Sequence, residues 1–266
     1  MFADVHCHLD HALLRPQLDA VVQRGRDAML GLIITCGVTP TSNDEALAIA
    51  ARHPDIVRCS LGCYPLDAVG VDIDTEGKVR HARPFDVDAE LARWHDLKDR
   101  FVAVGEAGLD FKWTKDEPTI KAQRIVFEKV IAAAEKLHKP IIIHSRSAEL
   151  ECIEMLETSS AKHVVMHSFG GRKSLMRRAI DNGWSFSIPP VITRLQHFRL
   201  LAELAPLQQL LTETDAPFLG PTAGETNEPK NITITVREIA AIKKTDAADV
   251  EEQLWKNAHA LFLKGA

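Results

Sequence analysis

Short apolar runs recur along the whole chain. They read FADVH (2–6), LGLIITC (30–36), IVRCSLG (56–62), RFVAVGE (100–106), PIIIH (140–144), HVVMH (163–167), WSFSI (184–188) and LQQLLTET (207–214). Most are nearly continuous rather than alternating, which is the pattern of strands buried on both faces. Between most of them lie segments of helix length with apolar residues three and four apart. In 120–137, for example, Ile120, Val126, Phe127, Val130, Ile131 and Ala134 share one helical face. Leu175 and Met176 follow the turn at Gly170–Gly171, and helical patterns over 231–243 and 246–263 close the chain. Strands alternating with helices predict parallel βαβ units and an α/β fold. Eight such units in 266 residues favour a closed (β/α)8 TIM barrel, with a doubly wound open sheet as the alternative. No repeat or linker interrupts the pattern, so one domain over 1–266 is expected. Residues 66–85 depart from it. They hold no helical stripe and predict a long irregular loop, either functional or a solvated excursion.

Composition narrows the class without choosing a function. At 45% hydrophobic and 26% charged residues the chain reads as globular rather than disordered or fibrous. A formal charge of −5 excludes a protein that coats nucleic acid through bulk basicity, though not a local basic groove. The five cysteines, Cys7, Cys36, Cys59, Cys63 and Cys152, form neither a disulfide framework nor a tetrathiolate zinc site. Together with an N-terminus that lacks a basic and a long apolar region, they predict a cytoplasmic protein with no membrane attachment. No run reaches the roughly 20 apolar residues needed for a span.

The chemistry lies where the apolar runs stop. His6 and His8 close the first run, two residues apart and therefore on one side of an extended segment. Glu106, His144 and His167 close the fourth, fifth and sixth, and Asp215 follows the eighth. In a barrel those ends meet on one face, where active sites are built. A single histidine at a strand end has an ordinary alternative as a hydrogen-bonded rim residue. Recurrence on five strands is much harder to explain structurally. Imidazoles and carboxylates ligate divalent ions, and six of them, one able to bridge, fit two adjacent ions of Mg, Mn or Zn. The remaining histidines fall in helical or loop contexts and are read as packing or surface residues.

The segments DVHCHLD (4–10), VGEAGLDF (104–111), IIHSRSAE (142–149), HSFGG (167–171), TETDAPFL (212–219), NEPKN (227–231) and NAHALF (257–262) span nearly the whole chain. In this order they resemble the TatD family of metal-dependent deoxyribonucleases, within the amidohydrolase-like barrels. The resemblance implies a first ion held by His6, His8, Glu106 and Asp215, and a second held by Glu106, His144 and His167, with Glu106 bridging. It also implies DNA as substrate and exonuclease-type hydrolysis, with Asp215 as base or orienter and Glu106 setting the metal spacing. No obligate protein partner is expected. One motif departs: the family tends to show Gly-x-His-Pro after the third strand, and this chain has Gly62-Cys63-Tyr64-Pro65.

Other polar residues suit an anionic substrate. Arg146, two residues past His144, is placed to clasp a phosphate, and Arg172 stands where a helix opens after Gly170–Gly171. Each has the alternative of a solvated surface charge. Tyr64 is read as a ring that stacks on a base or sugar, as a hydrogen-bond donor, or as rim packing against 66–85. Two other functions use the same residues: hydrolysis of an amide, lactone or aminoacyl ester, and metal binding without catalysis.

Overall fold

The computed structural model describes residues 1–75 and 78–263. Eight parallel strands run in chain order around one sheet. They are β1 (Phe2–Cys7), β2 (Leu30–Cys36), β3 (Val57–Cys63), β4 (Ala103–Asp110), β5 (Ile141–Arg146), β6 (Val164–His167), β7 (Ser185–Ile188) and β8 (Leu210–Thr212). Each pairs in parallel with the next. The seam between β8 and β1 is stitched by Thr212 Oγ1 donating to Ala3 O at 2.6 Å. Beyond it, Asp215 N donates to His6 O at 2.8 Å and His8 N to Ala216 O at 2.8 Å. The result is a nearly closed (β/α)8 TIM barrel, and the open-sheet alternative is set aside. In β1, β2, β3 and β4 almost every residue is buried, so apolar side chains on both faces lose water at once.

The helices follow the apolar spacing read from the sequence. The pattern over 120–137 becomes a helix at Glu117–Leu137, capped by Asp116 and buried along Phe127, Val130, Ile131 and Ala134. The last two are Ile232–Lys243 and Ala247–Phe262, the latter packing against β1 and β8. Several boundaries differ from expectation: His144 lies inside β5, which runs to Arg146, and β8 stops at Thr212, three residues before Asp215. Glu106 does not end its strand, because β4 continues to Asp110 and pairs Gly108 with His144. The chain over 207–209 is a 3-10 turn that leads into β8.

Residues 66–85 also differ from a structureless loop. A short helix at Pro65–Val69 is followed by an antiparallel pair, Ile73–Thr75 with Lys78–Arg80. These pieces are too short for a periodic signal, and their order comes from a buried charge. Asp67 is fully buried, and its carboxylate collects Arg80 Nη1 and the Arg83 N–H.

Two glycines set how closely the barrel strands approach. A Cβ on Gly62 would lie 2.3 Å from Gly37 O and 2.5 Å from Glu106 N. One on Gly108, where φ is +146°, would lie 1.9 Å from His144 O. Bare backbone at both places lets the ends of β3, β4 and β5 converge, and with them Glu106 and His144.

Candidate metal centre

Six side chains predicted from the sequence meet at the C-terminal end of the barrel. His6 Nε2 lies 3.5 Å from Glu106 Oε2 and 3.5 Å from Asp215 Oδ1. His8 Nε2 lies 3.5 Å and 3.4 Å from the same two oxygens. The other Glu106 oxygen is 2.7 Å from His144 Nδ1 and 4.0 Å from His167 Nε2, which is itself 4.0 Å from Asp215. Three overlapping groups have ligand atoms close enough to share an ion: His6, His167 and Asp215; His6, His8 and Glu106; and Glu106, His144 and His167. Glu106 turns one oxygen toward each of the last two groups.

Residues missed in the sequence orient this set. His8 Nδ1 donates to Cys36 O at 3.0 Å, which points Nε2 toward the carboxylates. His6 Nδ1 faces Cys36 Sγ at 3.3 Å. His167 Nδ1 donates to Glu213 at 2.7 Å, and Glu213 is also held by Ser187 Oγ and by Ser168 N. His144 is reversed: its Nε2 donates to Asp110 at 3.0 Å and its Nδ1 faces Glu106. Asp110 is fully buried, accepts the Tyr64 hydroxyl at 3.2 Å, and takes the Lys112 N–H. Each imidazole thus has its far nitrogen engaged and its near one aimed at the cluster. Metal-ligating histidines are oriented in this way. The buried His6 Nε2 has no hydrogen-bond partner among the described residues. Buried nitrogen without a partner is costly, and a cation would satisfy it. The residues therefore fit a divalent metal.

The missed carboxylates lie close in the chain to ligands that the sequence did single out. Asp110 closes β4 four residues past Glu106, and Glu213 lies two residues before Asp215. Their importance came only from the histidines of other strands.

Electrostatics tie the cluster together. Burial opposes ionisation of Glu106, but the close imidazoles of His144, at 2.7 Å, and His6, at 3.5 Å, outweigh it and hold its carboxyl well below the usual range. Asp215 is lowered by the same balance, with His6 and His8 overcoming burial. Burial works against a proton on His8 and His144, yet Asp215 raises the former, and Asp110 with Glu106 the latter, to about 9. Burial pushes Asp4, beneath the site, up to about 7 against hydrogen bonds from Thr214 and His6.

The expected substrate contacts are less united. Arg146 is exposed, with its guanidinium carbon 5.7 Å from the centre of the Trp113 ring. Arg172 is exposed at the N-cap of the helix Lys173–Asp181. Tyr64 reaches the site, edge-on to His144 with ring centres 4.9 Å apart. Burial and the charges of Glu106 and Asp110 raise its pKa, so it is a donor and not a base.

A sequence model of the family described as TatD related DNase matches residues 3–263. The chain belongs to the TatD family. The putative deoxyribonuclease TATDN3 of Mus musculus is 32% identical over 263 residues, covering 98% of this chain and 88% of that protein. The 3'-5' ssDNA/RNA exonuclease TatD of Erwinia tasmaniensis is 28% identical over 270 residues, covering 97% and 98%. Among solved structures, the TatD homologue YJJV of Escherichia coli k12 shares the fold with a TM-score of 0.85, 24% identity and 98% of each chain covered. Within the TatD fold no described helix is long and apolar enough to cross a membrane.

Proposed function

We propose that this TatD-family chain is a divalent-metal-dependent deoxyribonuclease that removes nucleotides from strand ends. The observation that carries the reading is the clustering of four imidazoles around Glu106 and Asp215, each with its far nitrogen engaged. His6, His8, Glu106 and Asp215 would hold one ion, and Glu106, His144 and His167 a second. Mg, Mn and Zn all suit this mixture of nitrogen and oxygen donors. Bound there, such ions would polarise a phosphodiester and make water more acidic. The relatives named as deoxyribonucleases, and as a 3'-5' ssDNA/RNA exonuclease, support DNA as the substrate.

The chain's own residues supply the rest. Asp215 presents its carboxylate 3.4–3.5 Å from His8 and His6 at the centre of the cluster, where it would take a proton from, or orient, the attacking water. Glu106 is shared by both ligand groups and fixes their spacing. Tyr64 just past β3, Arg146 at the end of β5 and Arg172 at the N-cap of the helix after β6 lie toward one end of the barrel, which supports contacts with the polynucleotide. The family match over 3–263 supports one catalytic unit. Five buried free cysteines suit a reducing cytoplasm.

The test uses protein stripped of metal and reloaded with Mg, Mn or Zn, given end-labelled single- and double-stranded DNA. Mononucleotide release is expected with at least one ion, and Glu106→Gln should cut it by orders of magnitude while lowering metal content. Hydrolysis of a lactone, amide or aminoacyl ester, with DNA untouched under every ion, would overturn the reading.

A further inference from the structure

Two features left outside the ligand set meet: Tyr64, where the family motif tends to have histidine, and the described parts of the segment 66–85. In space they form one unit. The Arg80 guanidinium carbon lies over the Tyr64 ring, 5.7 Å from its centre, and that ring is 4.9 Å from His144. The guanidinium carbon is therefore no more than about 11 Å from the His144 ring. Arg80 Nη1 donates to both Asp67 oxygens, at 3.0 and 2.9 Å. Asp67 is fully buried, and its Oδ1 also accepts the Arg83 N–H at 3.0 Å.

An arginine on a solvated loop samples many rotamers. Here a ring on one side and a buried carboxylate at one edge fix the guanidinium. Its Nε and Nη2 have no partner among the described residues, and the side chain is 48% exposed. A planar fork with free donors, pre-oriented at the mouth of a phosphodiesterase site, matches the oxygens of a phosphate. Asp67 offsets part of the charge, so the contact would be directional hydrogen bonding more than long-range attraction.

The geometry points to Arg80 as a specificity-determining residue that binds a non-scissile phosphate, one or two nucleotides from the phosphate seated on the His–Glu–Asp cluster. Asp67 and Tyr64 are its positioning residues. The assignment rests on the deoxyribonuclease reading above, and in it the segment 66–85 serves to deliver this cation to the mouth of the site.

The experiment is a methylphosphonate scan. Single-stranded oligonucleotides carry one uncharged methylphosphonate at successive non-scissile positions, and kcat/KM is measured with the metal-loaded enzyme. The wild-type protein should lose about ten-fold at one position, as for loss of one hydrogen bond to a charged group. Arg80→Ala should lose about as much on the all-phosphate strand and show no further penalty at that position. Its log–log salt slope for binding should fall by about 0.7, the value for one phosphate contact on a single strand. Because Arg80→Ala strands the Asp67 carboxylate, R80A/D67N is measured alongside, and Arg80→Lys should recover only part of the loss. The same position-specific penalty in Arg80→Ala as in wild type would overturn the assignment, as would a wild-type scan with no penalised position. Absence of hydrolysis of every oligonucleotide by wild type overturns the nuclease reading as well.

Discussion

At the scale of single residues, the site depends on groups that never face the substrate. Asp110 is the clearest. Its buried carboxylate accepts His144 Nε2–H and the Tyr64 hydroxyl together, so it fixes both the tautomer and the tilt of His144. Asp110→Ala should weaken ion binding about 10- to 100-fold, the range seen when the outer partner of a metal-ligating histidine is lost. Tyr64→Phe should weaken it far less, because Asp110 keeps the Lys112 N–H and the imidazole. Titration of the metal-free variants with Zn or Mn reads both effects. Equal affinity in Asp110→Ala and wild type would show that His144 needs no such partner. Glu213 plays the matching part for His167, and there the neighbouring Ser187 and Ser168 share the load.

At the scale of elements, the motifs outside the ligand set turn out to be clamps. Asn227, from the NEPKN motif, donates through Nδ2 to Thr214 O at 2.8 Å and to Phe218 O at 2.7 Å. Those carbonyls bracket Asp215, which sits at φ +53°, a region where aspartate is better tolerated than most residues. Asn257, from NAHALF, bonds Leu207 O and Leu210 O and so anchors the entry to β8. Asn227→Ala leaves two carbonyls without their donor and should cost about 2 kcal/mol, a melting shift of about 5 °C for a chain of this size. It should also lower kcat by loosening Asp215. A melting curve and a turnover assay on the same preparation check this, and normal values in both would leave Asn227 without its clamping role.

At the scale of the whole molecule, the barrel gathers ligands from five strands that are far apart in the chain. An ion bound there links all of them, and binding that favours the folded state stabilises it by mass action. At a hundred times Kd the gain is about 2.7 kcal/mol, which predicts a rise in Tm of about 5–10 °C on adding the ion to metal-free protein. His6→Ala removes a nitrogen shared by two of the three ligand groups and should abolish most of that rise, whatever its effect on the metal-free Tm. Differential scanning calorimetry with and without the ion measures it. An undiminished rise in His6→Ala would mean that the ion binds elsewhere.

The amino-acid sequence by itself determined the eight apolar runs, the helices between them, and the polar residues at their ends. Hydrophobic periodicity is local, and strand ends show in the chain as a change of residue type. That favoured a barrel without excluding an open sheet, and it singled out His6, His8, Glu106, His144, His167 and Asp215, which the fold brings together. The tertiary structure alone decided the partnerships. Asp110, Glu213, Asn227 and the Asp67–Arg80–Tyr64 unit act through groups supplied by other elements. A carboxylate that orients a histidine 34 residues away leaves no mark in any window of the sequence. The link between Asp67, Arg80 and Arg83 was hidden for the same reason: it comes from one buried charge collecting donors, not from a repeating apolar face.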